Sequence, residues 1–199
     1  MIHSNERTLD TIELVRRTLS AAGIDFRVAA PGIIQSVDYD RQTCTVQLAI
    51  REQLNNEGTL EWVEIPTLPD VPFFVYSGGG YCLTLPISPG DDCLVIFGDN
   101  CMDAWWQSGG VQNQAEYRRH DLSDGFAVVG FRSQPQKIGG FSADSAMLRN
   151  AAAGSAYIEI SGDTIHIKSS GTTIDGVSFM GHTHGGVSSG GSSTSGVNG

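Results

Sequence analysis

Two histidines near the end of the sequence, His182 and His184, have the spacing of a metal-binding pair. In an extended segment, residues two apart face the same side and lie about 6.5–7 Å apart at Cα. Two imidazoles hold an ion poorly, but three copies around a threefold axis would supply six nitrogens. Six neutral imidazoles suit an octahedral ion such as Fe(II), Ni(II) or Co(II), whereas zinc usually prefers four ligands. Such an ion has no open position, so the predicted metal site is structural and not catalytic.

The surroundings of this pair leave two interpretations open. The flanking glycines would let three backbones approach a common axis closely. Taken alone, however, a His-x-His in a Gly-rich stretch is also typical of exposed polar filler. The remaining residues of 181–199 are nearly all Gly, Ser and Thr, and they predict either a compact cap over the metal or a disordered terminus.

Other residues could be drawn as the ligands of a metalloenzyme, namely His120, Asp121, Asp124 and His166. The spacing of His120 and Asp121 places them on different faces, which is typical of polar turn residues. His166 falls on the polar face of the repeat described below. We therefore predict no catalytic residues, no cofactor-binding residues and no enzymatic activity.

Four cysteines contain no Cys-x-x-Cys pair, and all of them stand in apolar, strand-like runs: Cys44, Cys82, Cys93 and Cys101. This pattern predicts buried, reduced thiols and no disulfide or metal framework.

The element that must position the two histidines is a repeat over residues 156–180. Residues 156–160 and 164–168 alternate apolar and polar side chains, each followed by a Gly turn, and residues 172–176 form a third, weaker copy. Each copy directs β-branched residues to one face of a strand.

This repeat has no surface nearby on which to bury its isoleucines. Three strands of about five residues cannot bury an apolar face alone. Identical chains around a threefold axis would share that face as a common interior and pair their strand edges. The sequence thus predicts a homotrimeric, intertwined β-helix needle over 156–180.

The chain before the repeat predicts three further regions. Residues 1–29 include a short amphipathic helix over 8–22, docked on a neighbour or another subunit, with a membrane-surface role as the alternative. Residues 30–136 show five or six short strands separated by turns, and an OB-type barrel is the architecture expected at this size. Within this region, residues 93–97 form an apolar run typical of a strand buried on both faces. Residues 137–155 are predicted to be a linker. The fold class is all-β with this one N-terminal helix.

Composition excludes several classes of function. Twelve Lys and Arg against 22 Asp and Glu give a net charge of −10, which argues against binding a nucleic-acid backbone. The sequence has no Lys/Arg cluster of the kind that binds an anionic membrane surface. No signal peptide or apolar run of spanning length is visible, so we expect synthesis in the cytoplasm and no export by the usual secretory route.

Several segments together resemble the membrane-puncturing central spike proteins of contractile-tailed bacteriophages. Residues 31–34, 37–38 and 45–46 resemble the opening hairpin of the OB-type domain in that family. The central part of that domain is resembled by residues 65–73, 79–83, 86–87, 89–92, 94–95 and 105–106. Residues 119–126 resemble its closing segment. The β repeat and the pair His182 and His184 resemble its needle and apex.

The resemblance implies a virion protein at the baseplate and tail tip. It would be a homotrimer whose OB domains form a collar on the tail hub, with an iron ion bound at the apex by the histidines of three chains. It would be assembled in the host cytoplasm and act mechanically on the host outer membrane and periplasm. The alternatives are an OB-fold nucleic-acid-binding protein and a host-attachment fibre.

Overall fold

The structure, a computed structural model, describes residues 13–15, 17–18, 27–56, 58–151 and 156–179. The chain divides into two compact units, Met1–Lys137 and Ile138–Gly199. The described residues are mostly β, as predicted, with few helices. Residues 13–15 and 17–18 are helical, in agreement with the predicted N-terminal helix, and the rest of 8–22 lies outside the described residues.

The first unit is built on a five-stranded antiparallel sheet. Its strands are β1 (Ala29–Asp38), β2 (Thr43–Leu48), β5 (Leu68–Pro72), β8 (Asp92–Phe97) and β9 (Gly125–Val129). Their order is β5-β2-β1-β8-β9, so consecutive strands β1 and β2 pair as a hairpin while β8 joins the other side of β1.

The sheet curls into a half-barrel because its two edges approach each other. Phe73, which follows β5, forms a parallel bridge with Ala127 of β9, and the Phe74 amide donates to the Ala127 carbonyl at 2.8 Å. Alternating residues point into the curl and form one core, which comprises Ile34, Cys44, Val46, Leu48, Ile65, Leu68, Val71, Ile87, Cys93, Val95, Phe97 and Ala127.

Two hairpins extend from this sheet. The first pairs β3 (Glu52–Asn56) with β4 (Thr59–Val63), and the second pairs β6 (Tyr76–Gly78) with β7 (Tyr81–Leu83). One helix, α1 (Asp103–Ser108), follows β8, and short 3-10 turns cover Leu122–Asp124 and Gln134–Gln136.

The described part of the first unit therefore has nine strands, and the prediction of five or six was too low. The sequence pattern missed the β3–β4 hairpin because its two short strands mix polar and apolar residues on both faces. It also missed helix α1, which holds Trp105 and Trp106. A single six-residue helical turn is too short to show a periodic pattern.

The second unit contains a three-stranded antiparallel meander and a small hairpin. The meander is β10 (Ala146–Arg149), β11 (Tyr157–Ser161) and β12 (Thr164–Lys168). The hairpin pairs β13 (Thr173–Ile174) with β14 (Val177–Ser178). Strands β11 and β12 fall where the repeat predicts them, whereas β10 lies within the residues predicted as a linker, 137–155.

No helix in the described ranges is both long and apolar enough to cross a membrane.

Candidate functional site

The second unit presents an apolar sheet face that the described chain leaves open. Cross-strand pairing sets Ile158 opposite Ile167 and Ile160 opposite Ile165, so all four side chains lie on one face. Leu148 of β10 extends this face by pairing with Ile158. Ile160 is 52% exposed and Ile165 is 65% exposed. We call these five residues the isoleucine face.

The opposite face of the same meander carries polar and amphipathic residues, and it is the better covered of the two. Tyr157 and Glu159 are half-buried there. Ser145 donates its hydroxyl to the Glu159 carboxylate at 2.6 Å, and the Lys168 ammonium lies 5.9 Å from the centre of the Tyr157 ring. His166 is exposed and pairs opposite Glu159 on this face, as the alternation predicts.

In this meander the apolar face is exposed and the polar face is partly covered, which is the opposite of what the hydrophobic effect favours in a single chain. Exposed isoleucine side chains forgo about 1.5–3 kcal/mol each relative to burial. Single exposed apolar residues are common on proteins, but a contiguous apolar face next to a covered polar face marks an interaction site. The hairpin continues the pattern, because its one apolar cross-strand pair, Ile174 with Val177, is also exposed.

The predicted metal ligands, His182 and His184, lie outside the described residues. The strand β14 ends at Ser178, four residues before the first of them.

The residues that the sequence allows as ligands of a catalytic metal do not form one cluster among the described residues. His120 contacts the Arg27 carbonyl through Nδ1 at 2.9 Å and the Asp99 carboxylate through Nε2 at 3.3 Å. Asp121 accepts a hydrogen bond from the Ser123 amide, which is the largest cause of a pKa below the ordinary value for this carboxyl. Both residues hold the loop before β9, in a way that fits the predicted turn role.

Asp124 belongs to a cluster that the sequence did not reveal. Its carboxylate is completely buried, and oxygen or sulfur atoms of Cys101, Asp103 and Asp124 lie within 4.8 Å of one another, the one such group among the described residues. The Arg118 guanidinium supplies a positive charge to this cluster, because it donates to both Asp124 and Asp103. The Asp124 carboxylate also accepts from the Met102 amide at 2.9 Å. A cation is therefore already supplied by the chain, and the cluster is a structural ion-pair network.

The cysteines agree with the prediction at three of four positions. Cys44, Cys93 and Cys101 are buried and unpaired, and burial raises the pKa of Cys44 to about 11 and that of Cys93 to about 12. Cys82 is exposed, so the prediction of burial was wrong there. It lies on the two-stranded β6–β7 hairpin, which has no second layer over it.

The prediction that residues 93–97 are buried on both faces was also wrong for the single chain. Cys93, Val95 and Phe97 point into the core, but Ile96 on the outer face is 42% exposed.

Comparison with known protein families gives one match. A family model described as the phage protein Gp138 N-terminal domain matches residues 30–130. The match covers just over half of the chain and spans the five strands of the curled sheet together with both hairpins and helix α1. A search of curated proteins found no match.

Proposed function

The chain belongs to the family of phage proteins that carry the Gp138 N-terminal domain, and from this we propose that it is the central spike of a contractile phage tail. In this proposal the protein is a non-enzymatic homotrimer. It leads the tail tube through the host outer membrane when the sheath contracts. Family membership supports a structural role in the virion, and the isoleucine face carries the more specific part of the proposal.

The isoleucine face supports assembly around a shared axis. Five contiguous apolar side chains on a three-stranded sheet need a partner surface of the same chemistry. Three copies provide it to one another, and the free edges of β10 and β12 then pair between chains. The resulting β-helix needle over 156–180 is thin and has paired backbone groups, which are the properties of a stiff piercing element.

The curled sheet supports the assignment of an OB-type barrel to residues 30–136. A five-stranded order β5-β2-β1-β8-β9, with β5 leading to a parallel bridge on β9, matches the topology of a partly open five-stranded barrel. In the proposal this domain forms the collar that attaches the spike to the tail hub of the baseplate. A nucleic-acid role remains disfavoured by the net charge of −10.

The proposed apex uses His182 and His184 from each chain. Six neutral imidazoles would hold one iron ion, or another octahedral divalent ion, and so tie three chain ends together. The ion would add stability where the needle has too little apolar area left to bury. Since all positions would be filled by protein ligands, the metal would supply no chemistry to a substrate.

The experiment that tests the proposal combines solution mass with metal content on the full-length protein. We expect three times the 21.2 kDa chain mass, and one equivalent of iron or a similar ion per three chains by elemental analysis. Ile165→Asp should lower the trimer fraction because it places a charge in the shared interior, whereas Thr164→Asp, one residue away on the other face, should not. A stable metal-free monomer would refute the proposal.

A further inference from the structure

The outside of the half-barrel carries a second apolar surface that no other element covers among the described residues. On β8 and β9, outward residues pair across the strands, with Leu94 opposite Val128 and Ile96 opposite Phe126. Trp105 of α1 adds an edge-to-face contact to Phe126, with ring centres 6.0 Å apart. These residues extend apolar chemistry over the outer side of two strands whose inner side already forms the core.

This surface continues across the seam of the curled sheet onto the β6–β7 hairpin. The hydrogen bond from the Phe74 amide to Ala127 sets Phe74 beside β9, and its ring meets that of Tyr76 edge-on at 5.0 Å. On the hairpin, Tyr76 pairs with Leu83, and Tyr81 lies two residues before Leu83 on the same face. We call the whole the outer apolar surface; its most exposed members are Phe74, Tyr76, Tyr81, Leu83, Ile96 and Trp105.

The size of the outer apolar surface exceeds what a monomer usually exposes. Tyr81 is 85% exposed and Tyr76 is 71% exposed. The other four members are 42–52% exposed. With side chains of about 200 Å² each, the six residues together leave roughly 700 Å² accessible. A monomer rarely exposes more than about 300–600 Å² in one patch, whereas about 800 Å² per partner is what a stable interface buries.

A ring of identical copies needs two different patches on each copy, because a threefold contact is made head to tail. The β3–β4 hairpin offers the second patch. Leu60 and Trp62 stand two residues apart on β4, so they share one face of this hairpin, and both are more than half exposed. An isolated two-stranded hairpin is marginally stable in water, so this one gains most from lying on another surface.

We infer that the β3–β4 hairpin of each copy lies on the outer apolar surface of the next copy, with Leu60 and Trp62 against the aromatic side chains. This contact closes the collar of the trimer. The inference rests on the proposed homotrimer and adds the pair of surfaces that join the first units, independently of the needle and its metal.

Site-specific photo-cross-linking on the full-length protein tests this contact. Trp62→p-benzoylphenylalanine should give chain dimers and trimers on a denaturing gel after irradiation, with the cross-linked peptide containing Tyr76–Gly78 or Tyr81–Leu83. Glu61→p-benzoylphenylalanine is the matched control, because Glu61 neighbours Trp62 in sequence and points to the opposite face of the hairpin. It should give far less of the same product.

A second pair of variants removes the acceptor side of the contact. Tyr81→Ser should reduce the Trp62 cross-link severalfold, since it deletes the most exposed ring of the outer apolar surface. Tyr117→Ser deletes a ring outside this surface that is even more exposed, at 99%, and should leave the cross-link unchanged.

The outcomes separate this inference from the proposed function. A trimer that forms with its metal but cross-links from Trp62 to other peptides, or not at all, would overturn the hairpin contact alone. A monomer would overturn both the contact and the spike assignment. A cross-link confined to single chains would also overturn the inference, because the hairpin would then cover its own barrel.

Discussion

The Arg118 guanidinium lies against the fully buried carboxylate of Asp124, with Nε 2.8 Å from Oδ2 and Nη2 3.0 Å from Oδ1. Hydrogen bonding to Asp124 is the largest cause of a pKa for Arg118 above its already high ordinary value. Arg118 is also bonded to Asp103 and Glu116 at 2.9 Å each. One arginine therefore fixes the long connection between β8 and β9.

Removing this arginine should destabilise the first unit strongly. Arg118→Ala leaves the buried Asp124 without its charge partner, and breaking such a pair costs about 3–5 kcal/mol. Chemical denaturation followed by tryptophan fluorescence would measure the loss in the free energy of unfolding.

The neighbouring arginine provides the control for this measurement. Arg119 pairs with Asp99 at 3.2 Å, but both side chains are about 60% exposed. Arg119→Ala should therefore cost less than about 1 kcal/mol. Equal losses in the two variants would contradict the structural role assigned to the Arg118 network.

Gly32 in the middle of β1 should tolerate no side chain. A Cβ at this position would lie 2.5 Å from Val46 Cγ1 and 3.1 Å from Cys93 Sγ, both in the core. Gly32→Ala should lower the free energy of unfolding by about 1–3 kcal/mol through overpacking. Thermal denaturation would measure the effect.

Two further variants make the Gly32 prediction specific. Gly78→Ala adds the same methyl group where no atom lies within 4 Å, so it should change stability little. Val46→Ala is itself destabilising because Val46 lies in the core. The double variant with Gly32→Ala and Val46→Ala should nevertheless lose less stability than the sum of the two single variants, because the clash with Val46 Cγ1 is removed. Strictly additive losses would show that crowding against Val46 is not the cause.

Asp121 should contribute to stability in a pH-dependent way. The Ser123 amide, 2.9 Å from Oδ1, lowers the pKa of this carboxyl in the folded state. Its unfolded pKa is about 3.9. The contribution is therefore fully present above about pH 4 and is lost as the pH falls through the lower, folded pKa.

Denaturation from pH 7 to pH 2.5 would test this sign. Asp121→Asn should have a lower free energy of unfolding than the wild type at pH 7. The difference between the two free energies should shrink below about pH 4, as the wild-type carboxyl becomes protonated. Asp40→Asn, in the exposed β1–β2 turn, also removes one negative charge and is the matched control. A difference in the free energy of unfolding that grows at acid pH would contradict the stabilising role of the ionised Asp121 carboxylate.

Local patterns in the sequence were sufficient for part of this fold. Strand β12 has the predicted bounds because residues 164–168 alternate strictly between two Gly turns. The exposure of the isoleucine face also follows from the alternation, since the described part of the chain places no second layer on it.

Other features depend on particular side-chain contacts that no periodic pattern in the sequence marks. The Arg118–Asp124 pair joins a loop to a 3-10 turn, and neither residue type nor spacing marks it. The outer side of β8 was expected to be buried because Leu94 and Ile96 are apolar, but Ile96 stays 42% exposed among the described residues. An apolar run in a sequence indicates that a strand face is buried in the final assembly, but it does not show whether the same chain or another copy buries it.

The predicted metal ligands can be tested against a histidine on the same unit. Replacing both His182 and His184 by Ala should abolish bound iron or its substitute, because two imidazoles per chain would be lost at once. The trimer and the collar should stay assembled, since the isoleucine face and the outer apolar surface are unchanged. Proteolysis with mass spectrometry should then show earlier cleavage at the C-terminal end.

His166→Ala is the matched control, because His166 is exposed on the polar face of β12 and is not a predicted ligand. It should keep one metal ion per three chains. Full metal content in the double variant would show that the ligands lie elsewhere. Loss of the metal in the His166→Ala variant would indicate that the metal site lies on the β10–β12 meander.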